Sequence, residues 1–527
     1  MARLPGTVST PPRCGSISIA QELAMRIPQI PEQFVRDVWQ RQLFPANMLV
    51  TSEGAPVEVI FPGVINTDGG PDFVDAQLRI GRVLLCGDVE IHVKSAAWRT
   101  HGHDLDPHYN RVILHVALTA DESAAALTAS HRLVPLVTLE GILPPQAIEI
   151  WRKDRAARSS GTAIDIPCLH RVSPAPSPDN REREGKVTPS LLRAWLSRLG
   201  AIRLQRRVDL MEERLHQLID EDQRISKEPW RRYRGNPDDI PSPQRRYSPC
   251  DYAHIAPWEQ LLYESICEGF GYAKNPKTFR DLARSLRLEQ LRRFDLNDTV
   301  TMQALLFGTA GLLPSSRSLP EIDSRRYVRL LRRRWRELRP FLHIPMLHSG
   351  DWLFFRLRPA NFPTARIASL AFLLPSLFGD GSFRRLISAF SAIPGEQMGR
   401  AISSGFVFIP DRYWSCHYDF RGMGGKHGIA LGRARIGDLV VNSLIPIALL
   451  YARTFGDHRV EEGATSLLAC MPPLQENAVS RAVRREFLAG TALSLPVLEQ
   501  QGMLALYGMY CRKNLCEECL LGGKYYQ

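Results

Sequence analysis

The sequence predicts an α+β protein, in which a small mixed α/β core is followed by a large α-helical domain. Two patterns indicate this fold: short β-rich runs separated by Gly and Asp fill residues 57–118, and helical spacing of apolar residues dominates from 188 onward. With 527 residues, the chain also exceeds what one hydrophobic core usually organises. The predicted regions are a flexible arm (1–30), the α/β core (31–156), a linker rich in Ser and Pro (157–187) and the α-helical domain (188–527).

The α/β core begins with a predicted helix at 32–44, where Phe34, Val38 and Trp39 recur at helical spacing and form one apolar stripe. Apolar residues then alternate with polar ones between turn residues. This alternation predicts strands at 57–61, 73–80, 83–94, 111–118 and 134–139. Gly81 and Arg82 separate two of these runs, which indicates a tight hairpin.

In the helical domain, apolar residues recur every three or four positions in ten segments of the sequence. The predicted helices span 188–222, 258–270, 278–285, 300–307, 325–338, 365–378, 383–392, 436–454, 476–488 and 498–510. No repeat of fixed period relates these segments.

The charge balance favours a polyanionic partner. Lysine and arginine exceed aspartate and glutamate by 12, the isoelectric point is near 9.3, and most of the excess is arginine. Nucleic acid is therefore the predicted partner, with an anionic membrane surface as the second choice. An arginine-rich composition without any binding role would produce the same totals.

Three features predict a cytoplasmic protein that does not enter a membrane. The ten cysteines are not arranged as a disulfide framework for a chain of this length. The N-terminus has no continuous apolar segment of the kind found in signal peptides. No run of 18 apolar residues occurs, and the apolar window at 439–451 is short and contains Pro446.

The predicted strand at 83–94 carries the strongest candidate for an active site. Side chains alternate along a strand, so Asp88, Glu90, His92 and Lys94 share one face. Asp72 precedes the strand that pairs with it, and the hairpin lets Asp72 and Glu90 meet. These two acids would hold Mg²⁺ or Mn²⁺, while Lys94, together with His92, would orient and activate water. A solvated face of an antiparallel strand would produce the same alternation.

This arrangement resembles the PD-(D/E)XK nuclease superfamily. The two halves of the motif are Pro71-Asp72 and Glu90-Ile91-His92-Val93-Lys94. The resemblance implies a restriction-endonuclease-like core and metal-dependent hydrolysis of DNA or RNA. The usual lysine position is His92, so either His92 replaces that lysine or Lys94 reaches back. Glu32, at the start of the first helix, is a further metal ligand or a favourable partner of the helix dipole.

Five of the 14 histidines cluster in the sequence close to this strand. They are His92, His101, His103, His108 and His115. Imidazole and carboxylate together suit a transition metal such as Zn, Mn or Fe. Contact with phosphate and proton transfer beside Mg²⁺ is the second interpretation. A hydrogen-bonded polar loop that supports the strand ends is the third.

A second metal site is predicted near the C-terminus, where Cys511, Cys516 and Cys519 follow a helix with C-x4-C-x2-C spacing. Three thiolates at this spacing can converge on Zn or an Fe–S cluster, although a fourth ligand is needed. Three small side chains packed at a helix end would explain the same pattern.

A nucleic-acid interface is predicted on the segment 325–339, which contains eight arginines. Val328, Leu331, Trp335 and Leu338 form its buried stripe. The exposed cations would include Arg329, Arg332, Arg333 and Arg336, and the aromatic residues Tyr327 and Trp335 could stack on bases. A solvated helix face paired with acids elsewhere is the alternative.

Several further strings resemble an uncharacterised bacterial family, domain-of-unknown-function family 2851. They are 303–313, 358–366 (RPANFPTAR), Tyr413-Trp414, 70–73, 87–95 and the terminal cysteines. The resemblance covers nearly the whole chain from about Glu32 and implies that the two predicted domains belong to one unit. The glycines at 421–432 form no phosphate-binding loop, because no Gly-Lys-Ser/Thr follows a strand there.

Three functions therefore remain open on the sequence. The first is a metal-dependent nuclease or phosphodiesterase. The second is a non-catalytic nucleic-acid-binding protein that uses a decayed nuclease-like scaffold. The third is a metal-dependent hydrolase of another substrate, based on the histidines.

Overall fold

The structure is a computed structural model, in which the chain forms two compact units, Met1–Gly161 and Thr162–Gln527. The structure describes residues 30–45, 48–66, 69–121, 126–143, 147–149, 151–152, 189–231, 247–355, 357–422, 429–488, 494–513, 515 and 518–521. The predicted arm, apart from Ile30, and the predicted linker lie outside the described residues.

The first unit is an α/β unit built around one mixed sheet. Its helices include α1 (Glu32–Gln40) and α2 (Ala97–Thr100), with a short 3-10 turn at Pro107–Arg111, and the described residues 147–149 and 151–152 are also helical. Its strands are β1 (Val57–Phe61), β2 (Val64–Ile65), β3 (Phe73–Ile80), β4 (Val83–Lys94), β5 (Val112–Thr119), β6 (Ala126–Leu127), β7 (Leu133–Val134) and β8 (Leu136–Thr138). The strands predicted at 57–61, 73–80 and 83–94 are confirmed in full, and the one predicted at 134–139 is divided between β7 and β8.

The strand order of the main sheet is β1-β3-β4-β5-β8, with β2 also paired to β3. The strands β1, β3 and β4 are antiparallel, and the predicted hairpin forms where Ile80 pairs with Val83 and Gly81 takes a φ of 60°. From β4 to β5 and on to β8 the pairing is parallel. In this register Glu90 lies opposite His115, so the connection at 95–111 returns the chain to the same end of the sheet.

Strand β4 is buried on both faces from Gly87 to His92. On one face, Val89 and Ile91 share a core with Phe34 and Val38 of α1. The polar face is buried as well, because Trp98 and Tyr109 of the connection after β4 pack with Val112, Ala126 and Val134 in a second apolar cluster of this unit. The interpretation of this face as solvated is therefore wrong for Asp88, Glu90 and His92.

The second unit is mainly α-helical, and no strand occurs in its described part. Its helices are α3 (Pro189–Arg231), α4 (Pro249–Tyr252), α5 (Ile255–Phe270), α6 (Pro276–Ser285), α7 (Leu288–Leu291), α8 (Thr299–Thr309), α9 (Ile322–Leu338), α10 (Pro363–Phe378), α11 (Ser382–Ala392), α12 (Gly395–Ser404), α13 (Arg433–Leu439), α14 (Ile445–Phe455), α15 (His458–Cys470), α16 (Ala478–Phe487) and α17 (Val497–Met509). All ten predicted helical segments are helical, and the sequence patterns missed α4, α7, α12 and α15.

Two hydrophobic cores organise this helical unit, and α3 contributes to both. Leu192, Leu196 and Leu199 of α3 pack with α16, α17 and the C-terminal cysteines Cys511 and Cys519. Further along the same helix, Val208 to Ile219 pack into the larger core formed by α5, α8, α10 and α14. The 43-residue length of α3 allows one helix to reach both cores.

The helix predicted at 436–454 is one continuous helical run, Arg433–Phe455, interrupted by a π-helical turn at Val440–Leu444. Its length and composition would allow it to cross a membrane, but 61% of its most apolar window is buried inside the unit. Such burial is typical of a core helix rather than of a helix that faces lipid. The prediction that this apolar segment is too short to span a membrane was wrong about its length.

Candidate functional site

Two carboxylates meet at one end of the sheet. The backbone N–H of Asp72 donates to Glu90 Oε2 at 2.9 Å, so the residue before β3 is held against the middle of β4. A tight turn positions Asp72: Gly70 has a φ of 106°, and the Asn66 side chain donates to the carbonyl oxygen of Pro71 at 2.8 Å. The sequence prediction that Asp72 and Glu90 meet agrees with this geometry.

Burial keeps these carboxylates close to their neutral forms. Loss of hydration and the nearby charge of Glu90 raise the pKa of Asp72 to about 7. Burial also raises the pKa of Glu90 to about 8, and Glu32 of α1 adds to both increases through its negative charge. Arg36, one turn further along α1, lies 3.3 Å from Asp72 Oδ1, and its positive charge lowers the pKa of both acids. Asp72 Oδ2 is buried and has no hydrogen-bond partner among the described residues.

Three histidines form a hydrogen-bonded chain beside the acids. His92 Nδ1 lies 2.9 Å from His115 Nε2, and His92 Nε2 lies 3.2 Å from His101 Nδ1. His115 is brought there by the parallel pairing of β5 with β4, and His101 by the helix α2 that follows β4. The chain runs from the buried His115 to the exposed His101.

His103 completes the group on the side of Glu90. Its Nε2 lies 3.1 Å from Glu90 Oε1, while its ring stacks on Tyr109 with the centroids 3.8 Å apart. Trp98 contacts the same ring edge-on at 5.5 Å. His103 Nε2 has no aligned hydrogen-bond partner in the described part of the chain, so the aromatic contacts fix the ring while this nitrogen stays available.

The buried imidazoles are neutral near pH 7. Burial, together with the charge of neighbouring histidines, lowers the pKa of His92 to about 2 and that of His115 to about 4. Burial also lowers the pKa of His103. Neutral imidazole is the form that binds metal ions and the form that can either donate or accept a proton.

Three other candidates have partners outside this group. The side chain of Lys94 is 68% exposed and its ammonium lies 3.7 Å from Asp121 Oδ2, so its position does not support the catalytic role predicted for it. His108 is exposed and pairs with Asp106 at 2.7 Å. Asp88 is buried but accepts from the N–H of Asp75, so its carboxylate stabilises the hairpin. Of the predicted catalytic residues, the structure brings together Asp72, Glu90 and His92.

The side chains present fit a divalent cation. His92, His101 and His103 each offer a ring nitrogen, and these nitrogens lie within 4.8 Å of one another, the one such group of three ligands found among the described residues. Glu90 Oε1 lies 3.6 Å from His92 Nε2 and 3.1 Å from His103 Nε2. The unpartnered Asp72 Oδ2 is an atom that a cation would satisfy. Mixed carboxylate and imidazole ligands suit Mn, Fe or Zn better than Mg.

Comparison with family models gives a match to "Protein of unknown function (DUF2851)" over residues 32–225 and 253–477. The chain belongs to this family. The match to DUF2851 begins at the first residue of α1. It contains every member of the acid and histidine group, which consists of Asp72, Glu90, His92, His101, His103 and His115. A search of curated proteins and a search of solved structures each found no match.

The DUF2851 match ends at residue 477, so the C-terminal cysteines lie beyond it, although they were among the strings on which the family resemblance rested. Cys511 and Cys519 are buried in the smaller core of the helical unit. Cys516 lies outside the described residues. A zinc or Fe–S site at these three residues therefore stays a prediction.

The predicted nucleic-acid interface lies on α9, within the DUF2851 match. The helix exposes Arg329, Arg332, Arg333 and Arg336. Arg333 pairs with Glu337 at 3.1 Å, and Arg332 donates to the carbonyls of Leu313 and Pro314. The prediction that Tyr327 and Trp335 stack on bases is wrong, because they are held within the unit.

The two aromatic residues of α9 have structural partners instead. The Tyr327 hydroxyl contacts Gln303 Oε1 and Asp411 Oδ2, both at 2.6 Å. Trp335 is buried against Gly308, where an added Cβ would lie 2.2 Å from the indole ring. The apolar stripe of this arginine-rich helix, Val328, Leu331, Trp335 and Leu338, is buried and attaches it to the core.

Sequence analysis missed Arg36, Trp98 and Tyr109 as parts of the site. Arg36 is one turn from Glu32 on the first predicted helix, so its position on the polar side was visible, but its partner was not. The aromatic residues that fix His103 could have been found only by knowing that the connection after β4 folds back onto the strand.

Proposed function

We propose that the α/β unit of this DUF2851 protein is a divalent-metal-dependent phosphodiester hydrolase of the nuclease type, acting on DNA or RNA. One observation carries the proposal: Glu90 of β4 is buried beside three converging imidazoles, and Asp72, which precedes β3, is held against it with its Oδ2 atom buried. Burying such a set is costly unless protons or a cation compensate the acids. A site that tolerates this cost is a candidate for function.

The residues that would hold the cation are Asp72, Glu90 and His103, because both ring nitrogens of His92 are already engaged by His115 and His101. Bound there, the cation would supply electrostatic stabilisation of the charge that develops on a phosphate during hydrolysis. Mn²⁺ fits these ligands better than the Mg²⁺ that the acids alone would favour. Arg36 is placed to limit repulsion between Asp72 and a phosphate oxygen.

The histidine chain would move protons. The attacking water must lose a proton, and the leaving oxygen must gain one. His115, His92 and His101 are joined by two ring contacts, so a proton accepted at His101 can be exchanged with solvent at its exposed edge. This role replaces the one expected for Lys94, whose ammonium faces Asp121.

The order of elements also supports a nuclease-type core. A helix carrying Glu32 precedes a three-stranded antiparallel segment bearing Asp72 and Glu90, and a parallel strand follows a connection. That is the order expected for a restriction-endonuclease-like core. The exposed arginines of α9 supply positive charge suited to a nucleic-acid backbone, although Arg333 is partly neutralised by Glu337.

Two observations favour the alternatives. The exposed position of Lys94 favours a non-catalytic nucleic-acid-binding protein, because the lysine of a nuclease motif is not directed at the acids. The convergence of three histidines favours a transition-metal hydrolase that acts on another substrate. The experiment below separates all three.

The test compares the full-length wild type with Glu90→Gln and the matched control Glu58→Gln, which alters an exposed acid of the same sheet. Each metal-stripped protein is incubated with labelled DNA, labelled RNA and bis(4-nitrophenyl) phosphate, in Mg²⁺ and in Mn²⁺. Cleavage is expected for wild type and the control, and about a hundredfold or greater loss for Glu90→Gln, because cation stabilisation is worth several kcal/mol. Manganese affinity and thermal unfolding of each variant show whether the substitution removed the site or the fold.

Equal cleavage by wild type and Glu90→Gln would contradict the proposal. Binding of manganese and nucleic acid without cleavage would establish the non-catalytic alternative. Hydrolysis of the small ester alone, with nucleic acids left intact, would favour the hydrolase of another substrate.

A further inference from the structure

A cavity of about 640 Å³ lies in the helical unit, far along the sequence from the acid and histidine group. Helices α3, α5, α13, α15 and α17 and the π-helical turn Val440–Leu444 line it. Its apolar walls include Leu204, Leu210, Leu468 and Leu498. Its size lies within the range of sites for small molecules and cofactors.

Arginine dominates the charge of this cavity. The lining contains Arg203, Arg206, Arg207 and Arg435, but only two acids, Glu268 and Asp438. Glu268 forms an ion pair with Arg207 at 3.0 Å, and Asp438 forms one with Arg435 at 3.5 Å. Arg203 donates only to the side chain of Gln501, and no acid of the described chain lies within 4 Å of Arg203 or Arg206. The cavity therefore holds two more positive than negative charges.

Buried polar atoms in the lining lack partners. Ser265 is 4% exposed, and its hydroxyl has no hydrogen-bond partner among the described residues. Arg435 Nε is likewise buried without a partner, although the guanidinium stacks 3.3 Å from the centroid of the Tyr272 ring. Such atoms in a native structure call for a ligand that satisfies them.

The backbone at the cavity is unusual at two places. Tyr272 is a non-glycine residue with a φ of 54°, a conformation that costs free energy and is concentrated at functional sites. Arg366, from the string RPANFPTAR, also lies against its ring at 5.5 Å, is almost fully buried, and has two guanidinium nitrogens without partners among the described residues. The potential at this ring is therefore positive from two guanidinium groups.

The second unusual place is the π-helical turn. Pro446 has no N–H to donate to the carbonyl of Asn442, four residues earlier, and Arg207 Nε donates to that oxygen at 3.2 Å. The interruption turns Val441, Asn442 and Ser443 into the cavity wall. Such turns within α-helices are frequent at functional sites.

From these observations we infer that the helical unit binds a small phosphomonoester whose organic part is about the size of a nucleoside. A phosphate dianion matches the two excess positive charges, and guanidinium groups bind phosphate oxygens in pairs. Ser265 adds a neutral donor, and the leucine walls cover the organic part. Neither the acid and histidine group nor the arginines of α9 take part, so this inference is independent of the proposed function.

The test is isothermal titration calorimetry of the full-length protein with adenosine monophosphate, uridine monophosphate, glucose 6-phosphate and phenyl phosphate. Adenosine and inorganic phosphate, the two parts of adenosine monophosphate, are titrated separately as controls. At least one monoester is expected to bind tenfold or more tightly than inorganic phosphate, and its unphosphorylated counterpart is not expected to bind.

Arg206→Gln is expected to weaken that binding about tenfold or more, because it removes a cation that pairs with no acid among the described residues. Arg198→Gln, an exposed arginine on the same helix that does not line the cavity, is the matched control and should bind as wild type. Thermal unfolding of both variants should equal that of wild type.

Three results would overturn the inference. The first is that no monoester binds more tightly than inorganic phosphate, and the second is that Arg206→Gln binds as tightly as Arg198→Gln. The third is that a single-stranded oligonucleotide without a terminal phosphate competes fully with the monoester, since the site would then bind the phosphodiester backbone of a polymer.

Discussion

The two candidate sites of this protein both gather ionisable side chains, but the charge states of these side chains differ. In the α/β unit, burial drives Asp72, Glu90 and His92 towards their neutral forms. In the helical unit, the cavity is lined by guanidinium groups, which remain charged at every physiological pH. The first site changes its charge when protons or a cation bind, whereas the second presents the same charge to every ligand.

Because of this difference, ligand binding at the two sites should respond to different solution conditions. Binding at the acid and histidine group is linked to pH, because ligand atoms must lose protons before a cation can use them. Binding at the arginine cavity depends on the charge of the ligand and on salt. The following experiments test that contrast, beginning with the largest expected effect.

Manganese affinity should rise steeply with pH. Asp72 and Glu90, with pKa values of about 7 and 8, hold protons in the metal-free protein at pH 6. Each proton displaced makes the affinity rise about tenfold per pH unit in this range. Calorimetry at pH 6, 7 and 8 in two buffers of different ionisation enthalpy measures both the affinity and the protons released. An affinity that does not change with pH would show that the acids are not the ligands.

Nucleic-acid binding should depend on arginines outside the cavity, namely the exposed ones of α9. Changing Arg329, Arg332, Arg333 and Arg336 together to Gln should weaken DNA binding on the order of a hundredfold in low salt. The slope of log affinity against log salt should become shallower by about 0.9 for each phosphate that no longer pairs with an arginine. Fluorescence anisotropy across a salt series measures this, and binding of phosphomonoesters at the cavity serves as the control. An unchanged slope would remove α9 from the interface.

The metal-free α/β unit should lose stability as the pH rises from 6.5 to 8. Asp72 and Glu90 have folded-state pKa values raised above their unfolded values, so their contribution is complete below about pH 4 and disappears as the pH rises through 7 and 8. His92 and His115 have lowered values, so their contribution is complete above pH 6.5 and is lost only as the pH falls towards 4 and 2. Above pH 6.5 the acids alone act, and the expected loss is on the order of 2 kcal/mol.

Hydrogen exchange of peptides from β4, corrected for the intrinsic effect of pH, measures this loss. Saturating Mn²⁺ should remove it, and peptides from α17 should show no comparable change. Constant protection of β4 across this range would contradict the neutral state assigned to the acids.

The smallest effect is expected at the π-helical turn. Pro446→Ala would restore an N–H able to bond to the carbonyl of Asn442 and would compete with Arg207 for that oxygen. A hydrogen bond is worth about 1 kcal/mol net, so phosphomonoester affinity should fall by roughly fivefold. Calorimetry measures this, and manganese affinity of the α/β unit should not change. An affinity equal to that of wild type would show that the turn does not position Arg207.

Local patterns predicted the part of the α/β unit that depends on neighbouring residues. Alternation located β3 and β4, and Gly81 located the hairpin between them, so the meeting of Asp72 with Glu90 followed from strand register alone. The fold class was also evident, because helical spacing continues over most of the second unit.

Contacts between distant residues were not predictable in the same way. Alternation on β4 could not distinguish an active-site face from a solvated one, since no local pattern shows that Trp98 and Tyr109 fold back to cover His103. Lys94 was assigned to the acids because it shares a face with Glu90, yet its position at the strand end gives it Asp121 as a partner.

The arginine cavity illustrates the same limit more strongly. Arg207 meets the carbonyl of Asn442 across 235 positions of sequence, and the π-helical turn occurs inside a segment whose apolar spacing is that of an ordinary helix. Pro446 was the only local sign of that interruption.

The single long helix α3 has a consequence for how the helical unit opens. Its residues Leu192 to Leu199 belong to one core and Val208 to Ile219 to the other, and the cavity-lining stretch from Ile202 to Leu210 lies at the junction. A molecule held at that junction must be released before either core can open away from it. Occupancy would therefore merge two separate opening units into one cooperative unit, without moving any helix.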